Sequence, residues 1–281
     1  TQKPSSAASD VYKRQFLRWA EEKEKNIPQN INELLVEIHD INNVTTTEIT
    51  KIKEIIQTYN CCIYASNMNL KSNSNLLRFV ESIGMKTYDC NNIDLNKIST
   101  ITPRETSKVS YIPYTEKALN WHTDGYYDEK SIFSWLLHCV SPSSEGGENY
   151  LLDHELVLRE YILRNDDINV LMEDGALIIP ESKDTSRPEI STYIFSFSNA
   201  YKKLHMRFSM RKDNIGSITR ASDAITRLKK IIESHCAQYS LTYKLCKNQG
   251  ILTNNILHGR NSFKDDKVNR KLLRIRSYER L

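Results

Sequence analysis

No stretch of the 281-residue chain approaches the roughly 18–20 consecutive apolar residues that a membrane-spanning helix needs. No positively charged start followed by an apolar core marks a secretory signal. The six cysteines, Cys61, Cys62, Cys90, Cys139, Cys236 and Cys246, form no C-x-x-C pair, which argues against a zinc ribbon. They are also too sparse for a disulfide scaffold, so the expectation is reduced, mostly buried thiols in a cytoplasmic protein. There is little excess charge: 39 Lys and Arg against 35 Asp and Glu leave +4. A general nucleic-acid binder would carry a dense basic face. The basic residues here are scattered, apart from a C-terminal cluster in RKLLRIRSYER, so neither nucleic acid nor membrane is an expected partner. No internal repeat and no low-complexity linker divides the chain.

What is present is an ordinary globular balance, with 39% hydrophobic and 26% charged residues, enough for a sizeable core. Residues 1–15, TQKPSSAASDVYKRQ, are Ser/Ala-rich and aperiodic, unlike the Ile-, Asn-, Lys- and Leu-rich remainder. They read as a non-native tail. Residues 16–281 read as one domain. LLVEI at 34–38 predicts a strand. Ile49, Ile52, Ile55, Ile56 and Tyr59 recur at helical spacing after a threonine N-cap. CCIYA at 61–65 predicts a short buried strand. Leu76, Leu77, Val80 and Ile83 share the face of a second helix that Gly84 is placed to end. From about residue 110 short apolar runs dominate: VSYIPY, SIFSWLLHCV, NYLLD, GALIIP, TYIFSF, KLHMRFSM, YSLTYKL, GILTNNIL and KLLRIRSY. Turn residues separate most of them, the pattern of an antiparallel sandwich or barrel. Two helices interrupt it, DHELVLREYILR and SDAITRLKKIIESHCAQ, the second with an Asp/Ser start. The fold class is therefore α+β.

Three pieces carry the chemistry. In LNWHTDGYYDEK, His122 and Asp124 are two apart, and in an extended segment positions i and i+2 point the same way. In GILTNNILHGRNSF, His258 ends an apolar run. In VNRKLLRIRSYER, Arg270 and Arg274 follow His258 by twelve and sixteen residues. Each piece alone is weak, because short patterns recur and a lone strand histidine is more often structural. Together, two imidazoles and a carboxylate can occupy one face of an octahedral metal and leave three positions open, an arrangement suited to non-haem Fe(II). Two of those positions can take the keto and carboxylate oxygens of 2-oxoglutarate, and the third dioxygen. The far carboxylate of 2-oxoglutarate then requires a fixed cation, and arginine provides a permanently charged, bidentate fork. Arg270, Leu272, Arg274 and Arg276 would share one face of a strand.

WHTD at 121–124, GGEN at 146–149, NNILHGRNSF at 254–263 and RKLLR at 270–274 together resemble the TauD/TfdA family of Fe(II)/2-oxoglutarate dioxygenases, relatives of clavaminate synthase and γ-butyrobetaine hydroxylase. The resemblance implies a double-stranded β-helix (jelly-roll) core with flanking helices. It implies His122, Asp124 and His258 as iron ligands, Arg274 at the distal carboxylate of 2-oxoglutarate, and Arg270 nearer the metal-bound end. Asn149 stands where many relatives carry Thr or Ser, and its amide can donate the same hydrogen bond. Family halogenases replace the metal carboxylate by a small residue, so Asp124 disfavours halogenation. The implied reaction consumes O2, turns 2-oxoglutarate into succinate and carbon dioxide, and hydroxylates a small organic molecule. Relatives often associate, which makes a homo-oligomer an expectation. Candidate substrate residues are Tyr111, Tyr114, Tyr126, Tyr127, His205, Arg207 and Arg211, set against ordinary strand packing for the tyrosines and a core position for His205. His138 and His154 lack ligand partners at suitable spacing and read as structural. Two other classes fit the three ligands: a Zn(II) hydrolase, which would need a positioned base and no paired arginines, and a non-catalytic cupin-like binding protein.

Overall fold

A computed structural model describes residues 17–90, 97–104, 112–164, 168–182, 187–197, 203–211 and 216–281. Ten strands build its two larger sheets. In chain order they are β1 (Leu35–Ile38), β2 (Cys61–Ser66), β3 (Ser99–Ile101), β4 (Leu119–His122) and β5 (Ser134–Ser141). The chain then supplies β6 (Asn149–Leu152), β7 (Leu241–Tyr243), β8 (Gln249–Thr253), β9 (Leu257–Arg260) and β10 (Lys271–Ser277). The major sheet runs β1-β2-β8-β5-β10-β3 and the minor sheet β7-β6-β9-β4. Only the β1–β2 pair within them is parallel.

Among the described residues between β1 and β3, the chain forms two α-helices, α1 (Thr46–Tyr59) and α2 (Asn73–Ile83). Helix α1 starts at Thr45, whose hydroxyl accepts from the Glu48 N–H while the Glu48 carboxylate accepts from the Thr45 N–H, a reciprocal cap. Helix α2 starts at Ser72 and stops at Gly84. Both cover the major sheet with a core that includes Ile52, Ile56, Phe79 and Val80 against Tyr64, Leu136, Leu252 and Ile275. The opposite face of the same sheet packs Ile63, Trp135, Leu137, Ile251 and Leu272 against Leu151 of the minor sheet. The major sheet is thus buried on both faces, which explains why CCIYA and SWLLHCV read as unbroken apolar runs rather than alternating ones.

The outer face of the minor sheet, through Leu152 and Leu257, joins a third core. It contains α3 (His154–Arg164), α4 (Thr219–Lys230) and small antiparallel pairs formed by Leu177–Ile179 with Ile190–Thr192 and by Phe195–Phe197 with Leu204–Met206. Residues 17–25 are helical and dock here: Lys23 is buried between Asp153 (2.6 Å) and Glu155 (2.9 Å).

Several local expectations differ from the fold. VSYIPY is not a strand where it is described; Ile112–Tyr114 is a 3₁₀ turn. TYIFSF splits into two strands with residues 193–194 between them. Helix α4 begins at Thr219, so Ser222 and Asp223 lie inside it, and Ile218 precedes it without a side-chain cap. The non-native tail expected at 1–15 lies outside the described residues.

Candidate metal centre and cosubstrate pocket

The register of β9 against β4 sets His258 directly opposite His122. Their rings stand 4.2 Å apart, centroid to centroid. His122 donates from Nδ1 to the Asn120 carbonyl at 2.9 Å, and His258 donates from Nδ1 to the Ile256 carbonyl at 3.0 Å. Each bond fixes the tautomer, leaving the Nε2 lone pair free toward the pocket. Trp135 lies against the His258 ring at 4.5 Å.

Asp124 reaches the same point from a turn. The chain stays extended only through Thr123, which donates to the Phe208 carbonyl and accepts from the Phe208 N–H on its hydroxyl. At Asp124 it bends, and the turn closes with Asp128 N–H donating to the Gly125 carbonyl at 2.9 Å. Gly125 has φ of +63°, and a Cβ there would sit 2.4 Å from Ile132. The bend is held by Asn255, in the turn that precedes β9. Its side-chain oxygen accepts from the Asp124 N–H (2.8 Å), and its amide donates to the Asp124 and Ile132 carbonyls (2.9 and 2.7 Å). Asn255 itself adopts φ of +53°, a conformation asparagine tolerates better than most residues.

The Asp124 carboxylate divides its oxygens. Oδ1 lies 3.6 Å from His122 Nε2 and 3.7 Å from His258 Nε2, too long for hydrogen bonds, while Oδ2 lies 3.3 Å from Arg274. Burial pushes the carboxyl up, but Arg274 and the two histidines outweigh it and hold it well below the usual carboxylate range. Burial, with His122 beside it, lowers His258, so its imidazole stays neutral. One atom from each of the three side chains lies within 4.8 Å of the others. Two imidazole nitrogens of half-buried histidines and one oxygen of a buried carboxylate, brought to one point, fit a divalent iron in the facial arrangement.

The pocket beside them is lined by Arg274, Arg270, Asn149, Arg260, Trp135 and Leu272, together with apolar residues that include Ile101, Pro113 and Leu119. Both expected arginines line the pocket, and Arg274 lies 3.3 Å from the Asp124 carboxylate. Arg270, one strand turn earlier, stacks over Phe263 at 5.0 Å, and its backbone N–H is bonded to Asp265. Arg274 lies within β10 opposite Leu137 of β5, whereas Arg270 precedes the strand and lies by the GGEN turn, its Nε 3.6 Å from where a Cβ on Gly147 would sit. Gly146 in that turn has φ of +65°, and a Cβ would meet the Ser262 carbonyl at 2.2 Å; the close approach leads directly into Asn149 on β6. Burial draws Arg270 down to about 10.

The expected substrate residues fare differently. Tyr111 lies outside the described residues. Among the others, none of Tyr114, Tyr126, Tyr127, His205, Arg207 and Arg211 lines this pocket. Tyr126 is packed in the third core against Tyr127. His205 is buried against Phe133, ring to ring at 4.8 Å, and burial holds it well below the usual imidazole range. Arg207 donates to the carbonyls of Asp128 and Glu129 and to Thr192, which fastens the turn after Asp124. Arg211 is half-buried, and its N–H bonds Ser209. His138 is fully buried with Nδ1 2.9 Å from the Tyr64 hydroxyl, and His154 bonds the Leu204 carbonyl.

Residues 25–276 match the family described as Taurine catabolism dioxygenase TauD, TfdA family. The chain belongs to that family. Its class is therefore that of the iron- and 2-oxoglutarate-dependent dioxygenases. Solved structures of similar fold include the non-heme iron oxygenase OrfP in complex with Fe, succinate and (3S)-hydroxy-L-Arg, with a TM-score of 0.64 at 14% identity, covering 83% of this chain and 80% of that one. A taurine dioxygenase from Burkholderia xenovorans has a TM-score of 0.60 at 14% identity, with 87% of both chains covered. An asparagine oxygenase in complex with Fe(II), 2S,3S-3-hydroxyasparagine and succinate has a TM-score of 0.59 at 12% identity, covering 92% and 89%. Among curated proteins, Uridine-5'-phosphate dioxygenase from Streptomyces sp is 36% identical over 66 residues. That stretch is 23% of this chain and spans only 24% of that protein's length.

Proposed function

We propose that residues 16–281 form one double-stranded β-helix oxygenase domain that hydroxylates a small organic molecule. The observation that carries this reading is the convergence of His122, Asp124 and His258 in a pocket that Arg274 and Arg270 also line. A zinc hydrolase has no use for buried paired arginines, and they favour the oxygenase over that alternative and over a cupin-like binder.

In this reading His122, Asp124 and His258 hold iron. Arg274, 3.3 Å from the Asp124 carboxylate, meets the end of 2-oxoglutarate that approaches the metal. Arg270 and Asn149 meet its distal carboxylate. This exchanges the two arginine roles expected from the family resemblance, and the support is the proximity of Arg274 to Asp124. When bound, iron and 2-oxoglutarate supply oxidative decarboxylation to succinate and carbon dioxide coupled to hydroxylation of a substrate C–H bond. The chain's own contribution is position and exclusion of water. The Nδ1 bonds orient both imidazoles, Asn255 fixes the Asp124 turn, and Ile101, Leu137 and Leu272 keep the pocket apolar between its polar ends. The absence of disulfides among the six thiols supports a reducing, cytoplasmic setting. No helix among the described residues is long and apolar enough to cross a membrane.

The test is anaerobic purification, addition of Fe(II) and 2-oxoglutarate, then exposure to oxygen with a panel of small sulfonates, carboxylates and quaternary amines. Succinate should accumulate with at least one of them. No succinate with any compound, together with no binding of 2-oxoglutarate to the Fe(II) form, sinks the reading.

A further inference from the structure

Arg260 is a residue for which the functional assignment above has no use. It sits on β9, two residues after His258, directly across from Asn149 on β6. It is 5% exposed and lines the pocket. Its guanidinium stacks on Phe263 at 4.7 Å, and Arg270 stacks on the same ring at 5.0 Å. Two buried cations therefore share one aromatic ring. One terminal nitrogen of Arg260 donates to the carbonyls of Thr115 (2.8 Å) and Lys117 (2.5 Å), while Nε has no hydrogen-bond partner. Among the described residues, no carboxylate forms an ion pair with it. An unneutralised buried cation is costly, and two beside each other in a pocket call for an anion.

We propose that Arg260 is a second cation for the distal carboxylate of the cosubstrate, acting with Arg270. Through Thr115 and Lys117 it ties that carboxylate to residues 112–119, the pocket wall that carries Pro113 and Leu119. Arg260 is then both a specificity determinant, reading a dicarboxylate against a monocarboxylate, and a positioning residue for the wall leading into β4 and His122. This rests on the assignment of 2-oxoglutarate to the pocket.

The experiment measures binding rather than turnover. Protein loaded with Fe(II) under anaerobic conditions is titrated with 2-oxoglutarate and with 2-oxopentanoate. The latter keeps the metal-binding end and chain length but has a methyl in place of the far carboxylate. Loss of a charge-assisted hydrogen bond corresponds to roughly a 10- to 100-fold change. Arg260→Gln should therefore weaken 2-oxoglutarate about tenfold or more and move 2-oxopentanoate by about twofold at most. Hydrogen exchange supplies the second readout: amides of residues 114–119 gain protection on addition of 2-oxoglutarate to the wild type, and lose most of that gain in Arg260→Gln. Arg260→Lys retains a charge and should fall between, which keeps the comparison available if the Gln variant folds poorly. An equal loss for both ligands, or an unchanged ratio with Arg270→Gln lowering it, overturns the role of Arg260 and leaves the cosubstrate assignment standing. A wild type that fails to prefer 2-oxoglutarate overturns the assignment itself.

Discussion

Strands β5 and β10 present two faces that differ in every chemical respect while sharing one backbone. Leu136, His138, Leu273 and Ile275 point toward α1 and α2, into a core whose main polar event is one Tyr64–His138 hydrogen bond. Trp135, Leu137, Leu272 and Arg274 point toward the minor sheet and line the pocket. On the first face packing is close: a Cβ on Gly250 would sit 2.4 Å from the Tyr64 ring. On the second, the Arg274 cation lies 3.3 Å from the Asp124 carboxylate, whose other oxygen faces two imidazoles. His138 and His258 make the contrast sharpest. Both are strand histidines preceded by a leucine, yet one is a neutral core residue and the other a candidate ligand. The first face is fixed by complementarity of shape, the second by complementarity of charge.

The largest effect that would separate the faces is expected from Asp124→Ala. It removes one of three metal donors and leaves Arg274 buried beside an empty space. Fe(II) affinity should fall by more than about 100-fold, and the metal-free protein should lose about 3 kcal/mol as a buried ion pair is broken; calorimetric metal titration and urea unfolding read the two quantities. Retained iron affinity would move the metal centre elsewhere.

Ile275→Ala acts on the other face. It is fully buried, so about 2–5 kcal/mol of stability should go, with Fe(II) affinity of the folded protein unchanged. A parallel loss of iron affinity would mean that the two faces are mechanically coupled through β10.

The smallest effect at neutral pH should come from Tyr64→Phe with His138→Phe. Replacing both partners of a buried hydrogen bond by apolar groups is nearly neutral, so stability at pH 7 should stay within about 1 kcal/mol. The pH profile is the sensitive measurement. Burial holds His138 down at about 4, below its ordinary 6.5. The unfolded chain therefore binds a proton there that the folded chain does not. The stability that this neutral histidine secures is complete above pH 6.5 and is lost as pH falls through 4. His154 and His205 are lowered by burial in the same sense, so the double variant should flatten the acid limb without abolishing it. An unaltered limb in urea titrations at pH 7, 5.5 and 4.5 would remove His138 from that account.

Much of the fold was legible because its signals are local. The Thr45–Glu48 cap, Gly84 at the end of α2 and the apolar runs of β2, β5 and β10 each follow from neighbouring residues. Boundaries failed where a local preference competed with tertiary contacts. Ser222 and Asp223 make a good helix start in isolation, yet α4 begins at Thr219 because Ala221, Ala224, Ile225 and Leu228 all bury against the third core. The residues flanking the site were less legible. Tyr126 and His205 carry side chains suited to a ligand, and nothing in their sequence neighbourhood says that they point into a core. Asn255 and Arg260 were overlooked although both lie within three residues of His258. A doubled asparagine is a turn signal, and an arginine two positions from a strand ligand shares its face.

By itself, the sequence determined the donor types and their order along the chain: His122, Asp124, His258, then Arg270 and Arg274. That followed from residue chemistry and short-range alternation, which a linear pattern can carry. The tertiary structure decided what depends on register between distant strands. It set His258 opposite His122, drew Asp124 in through Asn255, 131 positions away, and put Arg274 rather than Arg270 beside Asp124. Such choices rest on which residue of one strand meets which residue of another, and a one-residue slip would turn each of those side chains to the opposite face.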